Sequence, residues 1–429
     1  MMQSTNKKAE NVRDVIRYLQ KFKNALIVIY LDDKTIGSSL FSSHIRDIAL
    51  LHKAGLKVVI IPGARTRIDE VLSSAKLNWT YKDNIRITND EAMPFIKMAA
   101  FDVSNTVMTN LAANNITAVI GNWVRSRAKG VINGFDFGAA GEIDKLDTAS
   151  LRTVLDDGFI PIFPCIGWSS VGKPYNISSA ILAQQVAVEL KADKLFFVMG
   201  EPNPILKDGE IVPAMNIEEV DSYVTSHADN VQTKNLLELC KSACQNGVNR
   251  SHLLDGNLDG VLLTEIFSDL GSGTMIYTNN YGKIRSMEQT DIPSVLAVMR
   301  PFVANGKLLP RTEGDVAAKL GDFYVYDFDG GVRACASLHK YDDRQFEIAT
   351  VAVDEAYSHM GIGPALVESL VQKAKSSGAK SVFIMTTQAS DWFEKIGFVE
   401  DKIETIPAER KAKWSSERGS KVYRLNPTL

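Results

Sequence analysis

The sequence predicts an α/β protein of two domains, and three observations carry that expectation. The chain has 429 residues, too many for one ordinary hydrophobic core. From Ala25 onward, short runs of nearly continuous apolar residues alternate with segments of helical period, the pattern of a parallel sheet covered on both faces. A turn-rich stretch, Thr278-Asn279-Asn280-Tyr281-Gly282-Lys283, then interrupts the rhythm. The boundary is placed there, giving an N-terminal parallel-sheet domain over 1–280 and a second α/β domain over 284–429.

Composition narrows the class. An apolar share of 45% with 23% charged residues is that of a soluble globular chain, and a formal charge of −3 gives no reason to expect nucleic acid or an anionic membrane as partner. No apolar run reaches the length of a membrane span, and the N-terminus is polar without a secretory apolar core, so a cytoplasmic location is expected. Cys165, Cys240, Cys244 and Cys335 are too scattered for a disulfide framework. Cys240 and Cys244 share a helix face at i, i+4, but no His or second Cys pair lies near, and no metal is expected.

In order, residues 9–23 read as an amphipathic helix with Val12, Val15, Ile16 and Leu19 on one side, packed on its own domain or on another subunit. A strand follows over 25–31, a helix over 42–54, a strand over 56–61 and a helix over 65–74, with further units through a strand over 193–199. Ligands of such sheets bind at the carboxyl ends of the strands, and the turn Pro62-Gly63-Ala64-Arg65 is one such place. In the second domain a strand from Ile284 leads to a helix capped by Thr290 with Asp291 in its first turn. Runs over 323–328 and 334–340 form a hairpin turning at Asp329-Gly330-Gly331.

The most informative stretch comes next. Residues 347–353 are a β-branched, apolar strand, followed by Ser358-His359-Met360-Gly361-Ile362-Gly363 and a helix over 364–376 with Pro364 at its first position. Successive N–H groups in such a Gly-containing turn form an anion cradle suited to a diphosphate, although an ordinary tight strand-to-helix turn has the same pattern. A strand over 381–386, a short helix from Trp392 and a Gly397 turn into a final strand complete the domain.

That series resembles the acetyl-CoA-dependent N-acetyltransferase superfamily, the GNAT fold. The resemblance implies that Ser358, His359, Met360, Gly361, Ile362 and Gly363 bind acetyl-CoA as co-substrate. Ser358 stands where the family usually has Arg or Gln, so one side-chain contact is lost or falls to His359. In the first domain, Phe41-Ser42-Ser43, residues 47–52, Gly63-Ala64-Arg65 with Ile68-Asp69, residues 84–88, Tyr175-Asn176-Ile177, residues 250–256, residues 262–267 and residues 271–276 resemble the amino-acid-kinase domain. Together the two likenesses identify the chain as similar to the bacterial N-acetylglutamate synthase family, an amino-acid-kinase-like domain fused to a GNAT domain.

The resemblance implies a kinase-like domain without kinase chemistry. Tyr30, Asp32 and Asp33 stand where the kinases carry a Lys and a Gly-Gly pair, and Ala180 stands where they carry an Asp. One like-charge contact across roughly 4 Å costs on the order of 1 to 4 kcal/mol, so a polyphosphate is expected to be repelled. The resemblance also implies an allosteric L-arginine site. Glu265 would accept its guanidinium and the Gly271-Ser272-Gly273 loop its carboxylate, with His252 near, although a local cap or ion pair fits Glu265, and an interior histidine fits His252, as well.

Amide formation from a thioester needs a base, an oxyanion donor and a proton for the departing thiolate. Glu347, on the central strand and matching a Glu of these synthases, suits the first, with an ion pair as its alternative. Backbone N–H groups around Val351 to Val353 suit the second, and Thr386 or water the third, since the Tyr common in the superfamily is missing. Arg311, Arg418 and Ser420 resemble segments that bind the two carboxylates of L-glutamate. The expected reaction is acetyl transfer from acetyl-CoA to L-glutamate, in a ring-like homo-oligomer, a hexamer among the options, that responds to L-arginine. A different amino-acid acceptor and a non-catalytic arginine-responsive binding protein remain open here, with a phosphotransferase the weakest rival.

Overall fold

Six consecutive apolar residues, Leu26–Leu31, form the first strand (β1), and all six are buried. Alternation sorts them even so. Leu26, Val28 and Tyr30 pack into one hydrophobic cluster, while Ile27, Ile29 and Leu31 pack into another on the opposite face. The second cluster includes Phe41, Ile45 and Ile48 of helix α1 (Phe41–Lys53), and the first includes Leu182, Ala183 and Val186 of a helix over Ser179–Leu190. A strand so covered on both sides is the central strand of a doubly wound sheet.

The structure, a computed structural model, describes residues 22–82, 84–201, 205–207, 210–226, 231–267, 272–278, 282–328, 331–415 and 419–425. All but the last two residues of the helix expected over 9–23 lie outside these, as do Gly271, Arg418, residues 279–281 of the expected boundary and Asp329-Gly330 of the expected hairpin turn. The fold divides into two compact units, Met1–Asn279 and Asn280–Leu429.

Unit 1 is built on an eight-stranded sheet. In chain order its strands are β1, β2 (Lys57–Pro62), β3 (Ala118–Ile120), β4 (Ile160–Ile162), β5 (Lys194–Met199), β6 (Ala214–Asn216), β7 (Arg250–Asp255) and β8 (Thr274–Tyr277). Their spatial order is β6-β8-β7-β5-β1-β2-β4-β3. Pairing is parallel except between β7 and β8, which run antiparallel, so the sheet is not wholly of the expected kind. The sequence reading also missed a four-stranded sheet of short strands over Val124–Ala128, Gly141–Leu146, Ile166–Trp168 and Pro174–Asn176. Helix α2 (Arg65–Ser74) follows β2 through the expected turn. Cys240 and Cys244 are buried thiols; Cys244 Sγ lies 3.3 Å from the Ile276 carbonyl, and burial raises both pKa values. No group of three metal-binding side chains occurs among the described residues.

Unit 2 carries a seven-stranded sheet. Its strands are β9 (Gly282–Ser286), β10 (Phe323–Phe328), β11 (Gly331–Lys340), β12 (Gln345–Val353), β13 (Ser381–Thr386), β14 (Val399–Asp401) and β15 (Lys421–Leu425), in the order β9-β10-β11-β12-β13-β15-β14. Only β12 and β13 pair in parallel. One face packs on helix α3 (Ile362–Ser376) and the other on a helix over Ile292–Ala304. Thr290 does not cap that second helix. It lies in a tight turn over Gln289–Asp291, where Asp291 reaches back to the Glu288 N–H at 2.8 Å. Among the described residues no helix is long and apolar enough to cross a membrane.

Candidate active site

Two strands that start as partners and then part make the opening in unit 2. β12 and β13 pair at Gln345↔Ser381, Phe346↔Val382 and Glu347↔Phe383, and there pairing stops although β12 runs on to Val353 and β13 to Thr386. The cause lies on the other side of β12. Its register with β11 shifts between Cys335 and Ser337, where one extra residue bulges from β12, and Thr350 takes a φ of 56°. A β-branched residue with positive φ is a strained position, held by its surroundings. Thr350 Oγ1 accepts from Arg311 Nη2 at 3.1 Å and from the Ser337 hydroxyl at 3.3 Å. The bulge thus turns β12 away from β13 and ties Arg311 to the central strand.

The two faces of the parted strand differ. Phe346, Ile348, Val351 and Val353 pack with α3, and Ala352 packs with the opposite helix. Glu347, alternating with Phe346 and Ile348, therefore lies on the face away from α3. It is 3% exposed and fully engaged. Arg410 Nε, on a short helix over Ala408–Lys411, contacts its two oxygens at 2.8 and 2.9 Å, and the Tyr341 hydroxyl donates to Oε2 at 2.8 Å. Burial, and next the Glu347 charge, pushes the Tyr341 hydroxyl's pKa well up, so Tyr341 stays a donor. Of the two sequence readings of Glu347, the ion pair is present, with its partner on a helix and not on a neighbouring strand.

The turn after β12 is a helix N-terminus, and it starts earlier than expected. Gly361 is the N-cap of α3 with φ 67°, and Pro364 is the third helical residue, where its missing N–H still costs no intrahelical bond. The N–H groups of Ile362 and Gly363 have no acceptor within the helix and point out along its axis. A Cβ on Gly363 would sit 3.1 Å from the Trp392 ring, whereas Gly361 faces open space. Gly361 is thus favoured by its conformation and Gly363 by the closeness of the Trp392 ring. The Ser358 hydroxyl donates to the Glu355 carbonyl at 2.8 Å, turned into its own loop. The Ile362 and Gly363 N–H groups fit an anionic ligand; the side chains of His359 and Met360 lie outside what the structure describes.

The remaining expected residues distribute as follows. Thr386, at the end of β13, accepts the Ala389 N–H at 3.0 Å and keeps its own proton to donate. It pairs in register with Lys421, so Ser420 stands at the same end of the sheet. Arg410 was not singled out from the sequence, being remote from Glu347 along the chain and in no motif.

In unit 1 the carboxyl ends of β1, β2 and β5 face a cavity of about 1210 Å³ lined by Tyr30, Asp32, Asp33, Arg65, Asn176 and Ala180 among others. Asp33 Oδ2 accepts the Thr66 N–H at 2.6 Å and its hydroxyl, closing the N-terminus of α2. Burial opposes the Asp33 charge, but the Thr66 donors outweigh it and hold its pKa below the ordinary value. Asp32 accepts from the Tyr30 hydroxyl at 3.2 Å; burial, then the Asp33 charge, pushes its pKa up to about 6.

The expected effector residues form a closed set. His252 Nδ1 is 2.6 Å from Glu265 Oε1, and Glu265 Oε2 accepts the Ser272 and Gly273 N–H groups at 2.6 and 3.0 Å. Burial lowers the His252 pKa to about 4, leaving it neutral. Burial works against the Glu265 charge, but His252 and the two amides prevail and bring it to about 2. The loop donors meant for a ligand carboxylate are taken by Glu265 itself.

Residues 26–255 match the Amino acid kinase family, and residues 299–398 match the Acetyltransferase (GNAT) family. The amino-acid acetyltransferase of Escherichia coli K12 is 30% identical over 427 residues, covering 96% of either chain. That of Shewanella oneidensis is 29% identical over 436 residues, covering 98% of each. Among solved structures, the Neisseria gonorrhoeae N-acetylglutamate synthase complexed with coenzyme A and L-arginine is similar with TM-score 0.80 and 28% identity, over 97% of this chain and 99% of that one. The same enzyme complexed with coenzyme A and N-acetyl-glutamate gives TM-score 0.63 at 28% identity, over 98% and 99%.

Proposed function

Because the chain belongs to the amino-acid acetyltransferase family, an amino acid kinase fold joined to a GNAT fold, we propose that it makes N-acetyl-L-glutamate from acetyl-CoA and L-glutamate, the first step toward arginine. The observation that carries this is the parting of β12 from β13 beyond Glu347, with the open helix N-terminus at Gly361 and Gly363 by the far end of β12 at Val353. When bound, acetyl-CoA supplies an acetyl thioester. The Ile362 and Gly363 N–H groups hold its diphosphate. N–H groups between Val351 and Val353, on the strand that has lost its partner, face the developing oxyanion. Glu347 takes the ammonium proton, so the amine nitrogen can bond to the acetyl carbon as the carbon–sulfur bond breaks. The thiolate takes its proton from water or from the Thr386 hydroxyl, which in that case regains one from solvent in the same relay. Arg311, Arg418 and Ser420 bind the carboxylates of glutamate, a reading supported for Arg311 by its bond to Thr350 on the Glu347 strand.

Unit 1 is the regulatory domain in this reading, with L-arginine as effector at Glu265, Ser272 and Gly273. Because Glu265 fills its own loop, arginine binding requires an exchange of partners there. A homo-oligomer is part of this reading by resemblance to the family, and light scattering tests it. The central test is thiol release by the purified chain, which requires acetyl-CoA and L-glutamate together. Release that ignores glutamate and follows another amine rejects the acceptor.

A further inference from the structure

Arg410 contacts Glu347 in an unusual way for a fork-shaped group. A guanidinium that only neutralised a carboxylate would present two nitrogens to its two oxygens. Here Nε alone reaches both, at 2.9 Å to Oε1 and 2.8 Å to Oε2. Among the described residues Nη1 and Nη2 have no hydrogen-bond partner, and neither is a buried unpaired atom. Exposure is graded along the pair: Glu347 is 3% exposed and Arg410 23%, so the guanidinium lies on the solvent side of the carboxylate. The segment after Arg410 is tied to the acceptor end of the sheet, since Trp414 Nε1 donates to the Ser420 carbonyl at 3.4 Å.

We propose that Arg410 is a third guanidinium of the acceptor site, holding Glu347 through Nε and taking the acceptor's α-carboxylate on its Nη1/Nη2 edge. This rests on the reading of the acceptor as an amino acid. The geometry selects the α-carboxylate because it shares a carbon with the amine that must meet Glu347. One planar group bound at both ends fixes the distance between base and amine, and a lysine, a point charge, cannot do so. Arg410 also sets a cation 2.8 Å from the buried Glu347 carboxylate, so base and acceptor share one partner.

The test compares L-glutamate with 4-aminobutyrate, which is glutamate without its α-carboxylate, as acceptors for the full-length wild type, R410Q and R410K. The wild type prefers glutamate strongly. In R410Q the KM for glutamate rises about 10- to 100-fold and most of that preference in kcat/KM disappears, while the KM for acetyl-CoA stays within about twofold. R410K keeps a cation beside Glu347, so it retains the wild-type Tm, yet it loses preference as well; it answers the question if R410Q does not fold. An unchanged ratio in R410K or folded R410Q, whatever the fall in kcat, makes Arg410 a counter-ion only and overturns the proposal. A wild type that ignores glutamate rejects the acceptor reading, and this inference with it, on a separate measurement.

Discussion

Asp33 accepts the main-chain N–H of Thr66 at 2.6 Å, so the helix end at which a phosphate would be met already holds a carboxylate of the chain. The N-cap residue Ala64 has no side chain able to do this. Asp33→Ala is expected to cost about 1 to 2 kcal/mol and lower the melting temperature by a few degrees. It is not expected to create phosphotransfer, because Tyr30 and Ala180 remain in the cavity. Thermal denaturation and a titration with ATP check both parts; ATP turnover by the variant would contradict them.

Glu347→Gln preserves shape and one acceptor for Tyr341 while removing the base. The expected loss in kcat is about 10²- to 10⁴-fold, with the KM for acetyl-CoA little changed. A fall of less than fivefold in thiol release would move the base elsewhere.

At the cradle, Ser358→Arg supplies the side chain that the superfamily usually has there. Ser358 is exposed and bonded only within its own loop, so the change is tolerated structurally. Calorimetry should find CoA bound about 3- to 10-fold tighter. Gly361→Ala, forced to φ 67°, should weaken CoA binding and destabilise the chain by about 1 kcal/mol.

Thr350 offers a separable pair of effects. Thr350→Gly relieves a positive φ but removes the oxygen that holds Arg311, so stability is kept or improved while the KM for glutamate rises several-fold. Thr350→Ser retains the oxygen and should keep the wild-type KM. Equal values in Gly and Ser variants would mean that the hydroxyl does not position Arg311.

Acid stability should carry the mark of His252. Its pKa is about 4 when folded and near 6.5 when unfolded, so between those values the unfolded chain binds a proton that the folded chain refuses. Stability therefore falls as pH drops through that window, by roughly 3 kcal/mol if the full shift applies. Glu265, about 2 when folded against 4.5, extends the loss to lower pH. Denaturant titrations at pH 7, 5.5 and 4 should show the slope, and His252→Asn, which keeps a donor toward Glu265, should flatten its upper part.

The sequence exposed what repeats locally and hid what depends on distant partners. The strand over 25–31, the helix over 65–74 and the strand over 381–386 agree with the structure to within a residue, because each is written in consecutive apolar or periodic side chains. The antiparallel β8 was not readable, since strand direction is decided by the partner and not by Thr274–Tyr277. Nothing in Ala349-Thr350-Val351 marks a bulge; Thr350 is held there by Arg311 and Ser337, from other elements. Glu347 was found by its place on a strand poor in charge, but its partner Arg410 lies 63 positions away in a lysine- and arginine-rich stretch that reads as solvated surface. Glu265 and His252 were placed near one effector site, with local capping or pairing as the alternative for Glu265, yet only the folded loop reveals that the carboxylate accepts from the amides of Ser272 and Gly273 and meets His252.

The gap between β12 and β13 leaves an edge in the middle of a sheet, with amide groups along 348–353 that no neighbouring β13 residue meets. A molecule bearing its own amides, as the pantetheine arm of CoA does, is chemically a missing strand for that edge. Occupancy then acts as a stitch across the two halves of unit 2, and hydrogen exchange along 348–353 should slow on loading far more than in β10 or β11, whose ladders are complete without it.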